Sequence, residues 1–325
     1  MNEFDYLVIG GGSAGSVMAG RLSEAPDTSV ALFEAGGKGD SWVVKAPAGT
    51  VAMLPTPLNN YAYETEPQRG LNGRRGYQPR GKCLGGSSAI NAMIYIRGHK
   101  SDYDHWAELG NTGWSYDDLL PYFLKSENNS EFSSPYHGND GPLHVSRLQS
   151  NNPFQQIYLN AAKEAGLPIN HDFNAENQEG LGIYQVTHKN GERWSAARGY
   201  LHPHINTRAN LHVHTGVQVA RILFEGRRAV GISYFQNGVQ LKLQTLDIAR
   251  AFFVAFGFGG IQMHQALFQA FVRDVTEIVF HRHHHTVHRW DGEIGQLRLA
   301  QHQGQVTALG NLKGVGNGAG HIGKQ

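Results

Sequence analysis

The sequence predicts an α/β fold organised on a parallel sheet, and three observations carry that prediction. Residues 5–34 run strand, glycine-rich turn, helix, strand, which is the order of a βαβ unit. Residues 80–98 hold a second loop rich in glycine and serine. From Gly138 onward a turn-rich break leads into an amphipathic helix and several short strands. At 325 residues the chain is long enough for two domains with a sizeable core.

The first unit is read element by element. Tyr6-Leu7-Val8-Ile9 is an apolar run suited to a strand buried on both faces. Gly10-Gly11-Gly12-Ser13-Ala14-Gly15 then satisfies G-x-G-x-x-G. In that motif Gly10 allows the tight turn, Gly12 lets the backbone approach a pyrophosphate, and Gly15 lets the helix pack on the strand. The helix is expected to begin near Ser13 and run through Val17, Met18, Ala19 and Leu22, with Pro26-Asp27-Thr28 ending it. Its N-terminus offers unpaired N–H groups and the positive end of a dipole to the pyrophosphate. The second strand, Ser29-Val30-Ala31-Leu32-Phe33, ends at Glu34, where a carboxylate can accept hydrogen bonds from an adenosine ribose. Together these residues define a Rossmann-like dinucleotide site at Gly10, Gly12, Ser13, Ala14, Gly15, Glu34 and Ala35. The motif does not separate FAD from NAD. Its place at the start of the chain, followed by Glu34-Ala35-Gly36-Gly37, favours FAD.

Bulk composition narrows the alternatives. A net charge of +1 with scattered basic residues gives no electrostatic footprint for nucleic acid. No apolar run reaches the roughly 18 residues of a spanning helix. The chain opens on a strand rather than a basic stretch and apolar core, so no signal peptide is expected. The single cysteine, Cys83, excludes an internal disulfide and is expected to be a small buried hydrophobe. A cytoplasmic location follows as the expectation.

The second loop reads Gly81-Lys82-Cys83-Leu84-Gly85-Gly86-Ser87-Ser88-Ala89-Ile90-Asn91, continuing through Tyr95, Arg97-Gly98, Asp102-Tyr103-Asp104 and Trp106. Gly85-Gly86-Ser87-Ser88 has no bulky side chain, so it can lie against a flat ring system and serve it with amides and hydroxyls. Asn91, with its two-sided amide, can bond both to a cofactor and to the loop. This stretch closely resembles the first signature of the glucose-methanol-choline (GMC) family of FAD-dependent oxidoreductases. Tyr63-Glu64-Thr65-Glu66-Pro67-Gln68 before it and Gly110-Asn111-Thr112-Gly113-Trp114-Ser115-Tyr116 after it agree. The resemblance is strongest to the choline dehydrogenase and alcohol dehydrogenase branch, and runs from about Asp5 to about Ala249. It implies cofactor contacts at Lys82, Leu84, Gly85, Gly86, Ser87, Ser88, Asn91, Ala92 and Met93. Some family members tether FAD through a histidine beside that asparagine. Ile90 stands at that position here, so the cofactor is expected to be non-covalent FAD.

In the middle of the chain, Gly138-Asn139-Asp140-Gly141-Pro142-Leu143 is the turn-rich break, and a helix is expected from Pro153 to Gly166. Asp172-Phe173-Asn174, Gly180-Leu181-Gly182, Tyr184-Gln185 and Gly191-Glu192-Arg193-Trp194-Ser195-Ala196 continue the family pattern. Asn190 to Arg198 is read as the return to the FAD domain. The expected division is therefore 1–137 FAD-binding, 138–194 partial substrate domain, 195–250 FAD-binding again and 251–325 unassigned. Strands are expected at Asn210 to Thr215, Val219 to Phe224 and Ala229 to Phe235. The resemblance places the backbone of Val217 near the adenine end of FAD. His212 and His214 alternate with apolar residues and are expected to share one solvated face, with no metal site.

Past Arg250 the composition changes. Residues 251–325 contain no Ser, Pro or Tyr but hold His264, His281, His283, His284, His285, His288, His302 and His321. A shifted reading frame or truncated gene, a divergent ending and a metal-binding tail are three readings of this stretch. The family oxidises an alcohol by hydride transfer to flavin N5, with a histidine base in the C-terminal portion. No counterpart of that base is recognisable here, so the catalytic residue is left unassigned. The expectation is an FAD-dependent oxidoreductase acting on a choline-like or other primary or secondary alcohol, with an unidentified electron acceptor, truncated and inactive as this chain stands. The alternative is a non-catalytic flavin- or nucleotide-binding protein with a repurposed tail.

Overall fold

The apolar run Tyr6–Ile9 forms strand β1, and its two faces enter two different cores. Helix α1 spans Ser13–Leu22 and strand β2 spans Val30–Glu34. A computed structural model describes residues 4–133, 135–150, 152–226, 228–244, 299–302 and 305–308. β2 lies at the centre of a three-stranded sheet, parallel to β1 on one side and to the strand Leu211–Thr215 on the other. The register sets Ile9 beside Phe33 and Thr215 beside Glu34, so all three strands end at the level of the glycine-rich turn. Ligands bind outside the carboxyl ends of the strands in folds of this kind.

Alternation along the strands divides the packing. Tyr6, Val8 and Leu32 join Met18, Ala19 and Leu22 of α1, together with Leu84, Ala197 and Leu201. Leu7, Ala31 and Phe33 face the other way, onto Phe4, Val217 and Ile232. Those last two residues belong to an antiparallel sheet of Val217–Glu225, Arg228–Gln236 and Val239–Gln244. The first two start and end a residue or two outside the predicted limits, and Val239–Gln244 was not predicted. The sequence expected His212 and His214 on one solvated face; they do share a face, on which His212 is exposed and His214 half-buried. His212 meets the Phe4 ring edge-on at 5.1 Å and His214 stacks on Phe33 at 4.9 Å. Burial lowers the His214 pKa, as it does for any imidazole drawn into apolar surroundings.

A four-stranded sheet of order Ile94–Tyr95, Gln185–Val186, Leu143–Arg147, Glu127–Asn129 forms the second layer. It takes two of its strands from before Gly138. Beneath it lies a buried polar network. Glu127 accepts from Arg97 at 2.7 Å and bonds His137 Nδ1 at 3.0 Å, and His137 Nε2 bonds Asp172 at 2.8 Å. Arg97, Glu127 and His137 are buried there, and Asp172 closes the network from the partly exposed side. The amphipathic helix Phe154–Glu164 matches its prediction within two residues.

The chain divides into two units, Met1–Val279 and Phe280–Gln325. Within the second, Leu299–His302 and Gln305–Ala308 pair as an antiparallel hairpin. The histidine cluster at 281–288 and the rest of the compositionally odd stretch lie outside the described residues. Among the described residues no helix is long and apolar enough to cross a membrane, and no group of three or more His, Cys, Asp or Glu side chains could hold a metal ion.

Candidate cofactor site

The two glycine-rich loops meet. The Gly85 N–H donates to the Gly11 carbonyl at 2.7 Å, so the second loop is bonded to the turn that follows β1. Gly86 sits at φ +52°, and a Cβ built there would lie 2.7 Å from the Gly12 Cα. Only glycine allows that approach. At Gly15 a Cβ would collide with the Gly10 carbonyl, which is the close helix–turn packing the motif predicts.

Glu34 is buried and joins the turn to the segment after β2. Its Oε2 accepts from the Gly11 N–H and its Oε1 from the Gly36 N–H, each at 2.8 Å. Burial raises its pKa, against the lowering effect of those two amides and of Lys82. Each carboxylate oxygen keeps a second lone pair for a further donor. Lys82 is exposed, with Nζ 5.1 Å from the centre of the Tyr61 ring. The Gly216 N–H donates to the Gly36 carbonyl at 2.8 Å, which brings the start of the strand Val217–Glu225 beside Glu34 and Ala35. The Val217 side chain itself is core, packed with Leu7 and Phe33.

At the N-terminus of α1 the capping position is Gly12, which has no side chain to bond the first turn. Within the described residues the amides of Gly12, Ser13, Ala14 and Gly15 donate to no acceptor of the chain. Four unpaired N–H groups at a helix start form an anion site, strengthened by the helix dipole. Opposite them, Leu84, Gly85 and Gly86 are buried and Ser87 is exposed. The Ser87 hydroxyl accepts from the Gly81 N–H at 3.2 Å, and the Ser88 hydroxyl accepts from the Ala196 N–H at 3.0 Å.

Asn91 is more constrained than the two-sided reading expects. Its Oδ1 accepts from the Met93 N–H at 3.0 Å and from Arg193 Nη1 at 2.9 Å. Two donors fix the oxygen toward the chain, so the Nδ2 amide group is the end left for a ligand. Met93 adopts φ +64° and is buried, while its carbonyl accepts from the Thr187 N–H at 2.8 Å. Ala92 is exposed and lines a groove of about 370 Å³ together with Ile94, Tyr158 and Tyr184. Cys83 is fully buried among Val44, Met53 and Ile90, and burial pushes its thiol up to about 12. It is a packing residue.

The structure therefore brings Gly10 to Gly15, Glu34, Ala35, Leu84 to Ser88 and Asn91 into one cradle. Sequence reasoning did not single out Arg193 and Thr50, which brace Asn91 from behind. The Arg-x-Ser pattern at Arg193-Trp194-Ser195 was the available signal. An adenine dinucleotide fits the groups present: unpaired helix-start amides to donate to a pyrophosphate, a buried carboxylate to accept from a ribose, and a surface without Cβ atoms for a flat ring.

Fold and cradle define a dinucleotide-dependent protein, and the comparisons with known proteins say which kind. The GMC oxidoreductase family model matches residues 4–259. The chain belongs to the GMC oxidoreductase family. The match continues beyond Ala249, where the sequence reading ended the resemblance. The human mitochondrial choline dehydrogenase is 47% identical over 244 residues, covering 73% of this chain and 41% of that protein. The alcohol dehydrogenase [acceptor] of Pseudomonas putida is 42% identical over 279 residues, covering 86% of this chain and 50% of that protein. Among solved structures, an FAD-dependent oxidoreductase from Chaetomium thermophilum superposes with a TM-score of 0.69 at 30% identity, over 75% of this chain and 44% of that one. The chain thus spans half or less of the length of these relatives.

Proposed function

We propose that this chain binds FAD non-covalently and carries the cofactor-holding part of an oxidoreductase that acts on alcohols, choline-like or other primary or secondary ones. The observation that carries the reading is the hydrogen bond from Gly85 to the Gly11 carbonyl, which sets a surface without side chains opposite four unpaired helix-start amides. Bound there, FAD would accept a hydride from the carbinol carbon of the alcohol.

The chain's own residues have separate tasks. Gly12, Ser13, Ala14 and Gly15 would hold the pyrophosphate with backbone amides, and Glu34 would accept from the ribose hydroxyls while staying anchored to Gly11 and Gly36. Ala35 and the Val217 backbone would border the adenine end. Lys82, Leu84, Gly85, Gly86, Ser87 and Ser88 would form the wall for the ring system. Asn91 would donate from Nδ2, with Ala92 and Met93 completing the loop. Ile90 is buried among Val44, Met53 and Cys83, and it offers no nucleophile for a tether. We propose the division into an FAD-binding part (1–137 and 195–250) and a partial substrate domain (138–194), with Ile94–Tyr95 and Glu127–Asn129 crossing into the second part's sheet, and a cytoplasmic setting.

The second reading is binding without turnover. No described histidine bonds to or stacks on residues 85–93, so no base is assigned, and we expect this chain to bind FAD without oxidising alcohol. The test is anaerobic mixing of the FAD-loaded chain with choline and with a series of primary and secondary alcohols, following the flavin absorbance near 450 nm. Bleaching by one alcohol class would establish turnover and overturn the binding-only reading; a stable spectrum would support it. The electron acceptor would follow from a screen of oxygen and quinones against any bleached sample.

A further inference from the structure

Among the described residues two arginines, Arg97 and Arg193, are fully buried, and only one of them has a counter-ion. Arg97 pairs with the Glu127 carboxylate at 2.7 Å. Arg193 is 1% exposed, and every acceptor it reaches is neutral. Nε donates to the Val44 carbonyl at 3.0 Å and Nη2 to the Thr50 hydroxyl at 2.5 Å. Nη1 is shared among the Asn91 carbonyl at 2.6 Å, Asn91 Oδ1 at 2.9 Å and the Ser88 carbonyl at 3.4 Å. Among the described residues no carboxylate stands within ion-pair distance of it.

A buried cation without a counter-ion is costly, and hydrogen bonds to neutral dipoles offset only part of that cost. The guanidinium stays charged at neutral pH: burial lowers its pKa, but only to about 10. Its charged neighbour in principle, Cys83, is a neutral thiol at that pH because burial pushes it up to about 12. The fold therefore leaves a net positive charge directly behind Ser88 and Asn91, on the side away from the cradle.

We infer that Arg193 is a positioning residue that serves the cradle in two ways, holding Asn91 with its Nδ2 outward and supplying the positive charge that favours an occupant more negative after it takes up electrons. This inference rests on the reading of the cradle as a flavin site. The guanidinium holds three places at once, Nε on the Val44 carbonyl, Nη2 on the Thr50 hydroxyl and Nη1 on the Asn91 carbonyl and Oδ1, a spread that a single ammonium cannot reproduce. Its charge acts through a dry interior, where screening is weak.

The test uses the full chain loaded with FAD and measures the midpoint potential of the bound flavin against a reference dye, with FAD affinity measured in parallel. Arg193→Lys keeps the charge and loses the fork; the expected result is weaker FAD binding at a near-unchanged potential. Arg193→Met loses both. Thr50→Asp places a carboxylate on Nη2 and keeps the bonds from Arg193 to Ser88 and Asn91, at the loss of the Thr50 hydroxyl's own bond to the Asn91 carbonyl, so it keeps the inference testable should Arg193→Met fail to fold. For Thr50→Asp and Arg193→Met, binding of the reduced flavin should weaken at least tenfold more than binding of the oxidised form. That ratio lowers a two-electron potential by about 30 mV. An unchanged potential in Thr50→Asp, with flavin still bound, would overturn the inference and leave Arg193 a structural brace. If the unsubstituted chain binds no flavin, it is the reading of the cradle that fails.

Discussion

Replacing Gly86 by Ala tests the contact between the two loops at its narrowest point. Gly86 sits at φ +52°, where an L-residue costs about 1 kcal/mol or more. The new Cβ would stand 2.7 Å from the Gly12 Cα, against a carbon–carbon optimum of roughly 3.5–4.0 Å. Both atoms belong to backbone, so no flexible side chain can give way, and the loops must separate by about 1 Å. That shift strains the 2.7 Å bond from Gly85 to the Gly11 carbonyl, whose loss costs about 1 kcal/mol. The total is about 2–3 kcal/mol of stability. The separation also opens the cradle, and FAD affinity should fall at least tenfold, about 1.4 kcal/mol. Gly73→Ala is the control: φ there is +75°, but the Cβ points into open space. It should cost about 1 kcal/mol and leave FAD affinity alone. Urea unfolding monitored by tryptophan fluorescence gives the stabilities, and FAD fluorescence quenching gives the affinities. If Gly86→Ala matches Gly73→Ala in stability and binds FAD within threefold of the parent chain, the contact does not shape the site.

Four further outcomes follow from the same structure. His137 has its pKa drawn down by burial and raised more strongly by its bonds to Asp172 and Glu127, to about 9. Its contribution is complete below the unfolded histidine value near 6.5 and is lost as pH rises through about 9, so stability should fall by on the order of 3 kcal/mol across that window in denaturant titrations. A flat profile between those limits would contradict a buried, doubly paired imidazolium. Asp172 has the opposite sign: burial raises its pKa, but the His137 bond lowers it further, so its contribution is lost as pH falls below the ordinary carboxylate range. Glu34→Ala strands the Gly11 and Gly36 amides, each bonded at 2.8 Å, and should destabilise the chain by about 2 kcal/mol and weaken FAD at least tenfold. Cys83, buried with its thiol pushed up to about 12, should resist a thiol reagent such as iodoacetamide in the native state and react on unfolding; rapid native labelling would contradict its burial.

The first cofactor unit was legible because its determinants are local. Tyr6–Ile9, the glycine turn, α1 and β2 follow from contacts within about thirty residues, and observed bounds differ from expected ones by a residue or so. The second loop was legible by its resemblance, and its lack of bulk explained why. What escaped notice depends on distant partners. Arg193 reaches Asn91 and Thr50 across more than a hundred residues of sequence, and no periodicity announces that. The same holds for Glu127, His137 and Asp172, three ordinary polar residues until folding buries them together. His212 and His214 were placed on one face, but the rings they meet come from distant residues, Phe4 ahead of β1 and Phe33 in β2. The sheet of Ile94–Tyr95 and Glu127–Asn129 with Leu143–Arg147 pairs strands on both sides of Gly138, where composition alone drew a boundary.

The measurement that tests the central claim most directly is an FAD titration of the purified full chain, followed by gel filtration and an absorbance spectrum of the protein peak. The account predicts one flavin per chain, with bands near 375 and 450 nm that co-elute with the protein and are released on denaturation. A folded chain, shown so by cooperative unfolding, that elutes without flavin from excess FAD would contradict it.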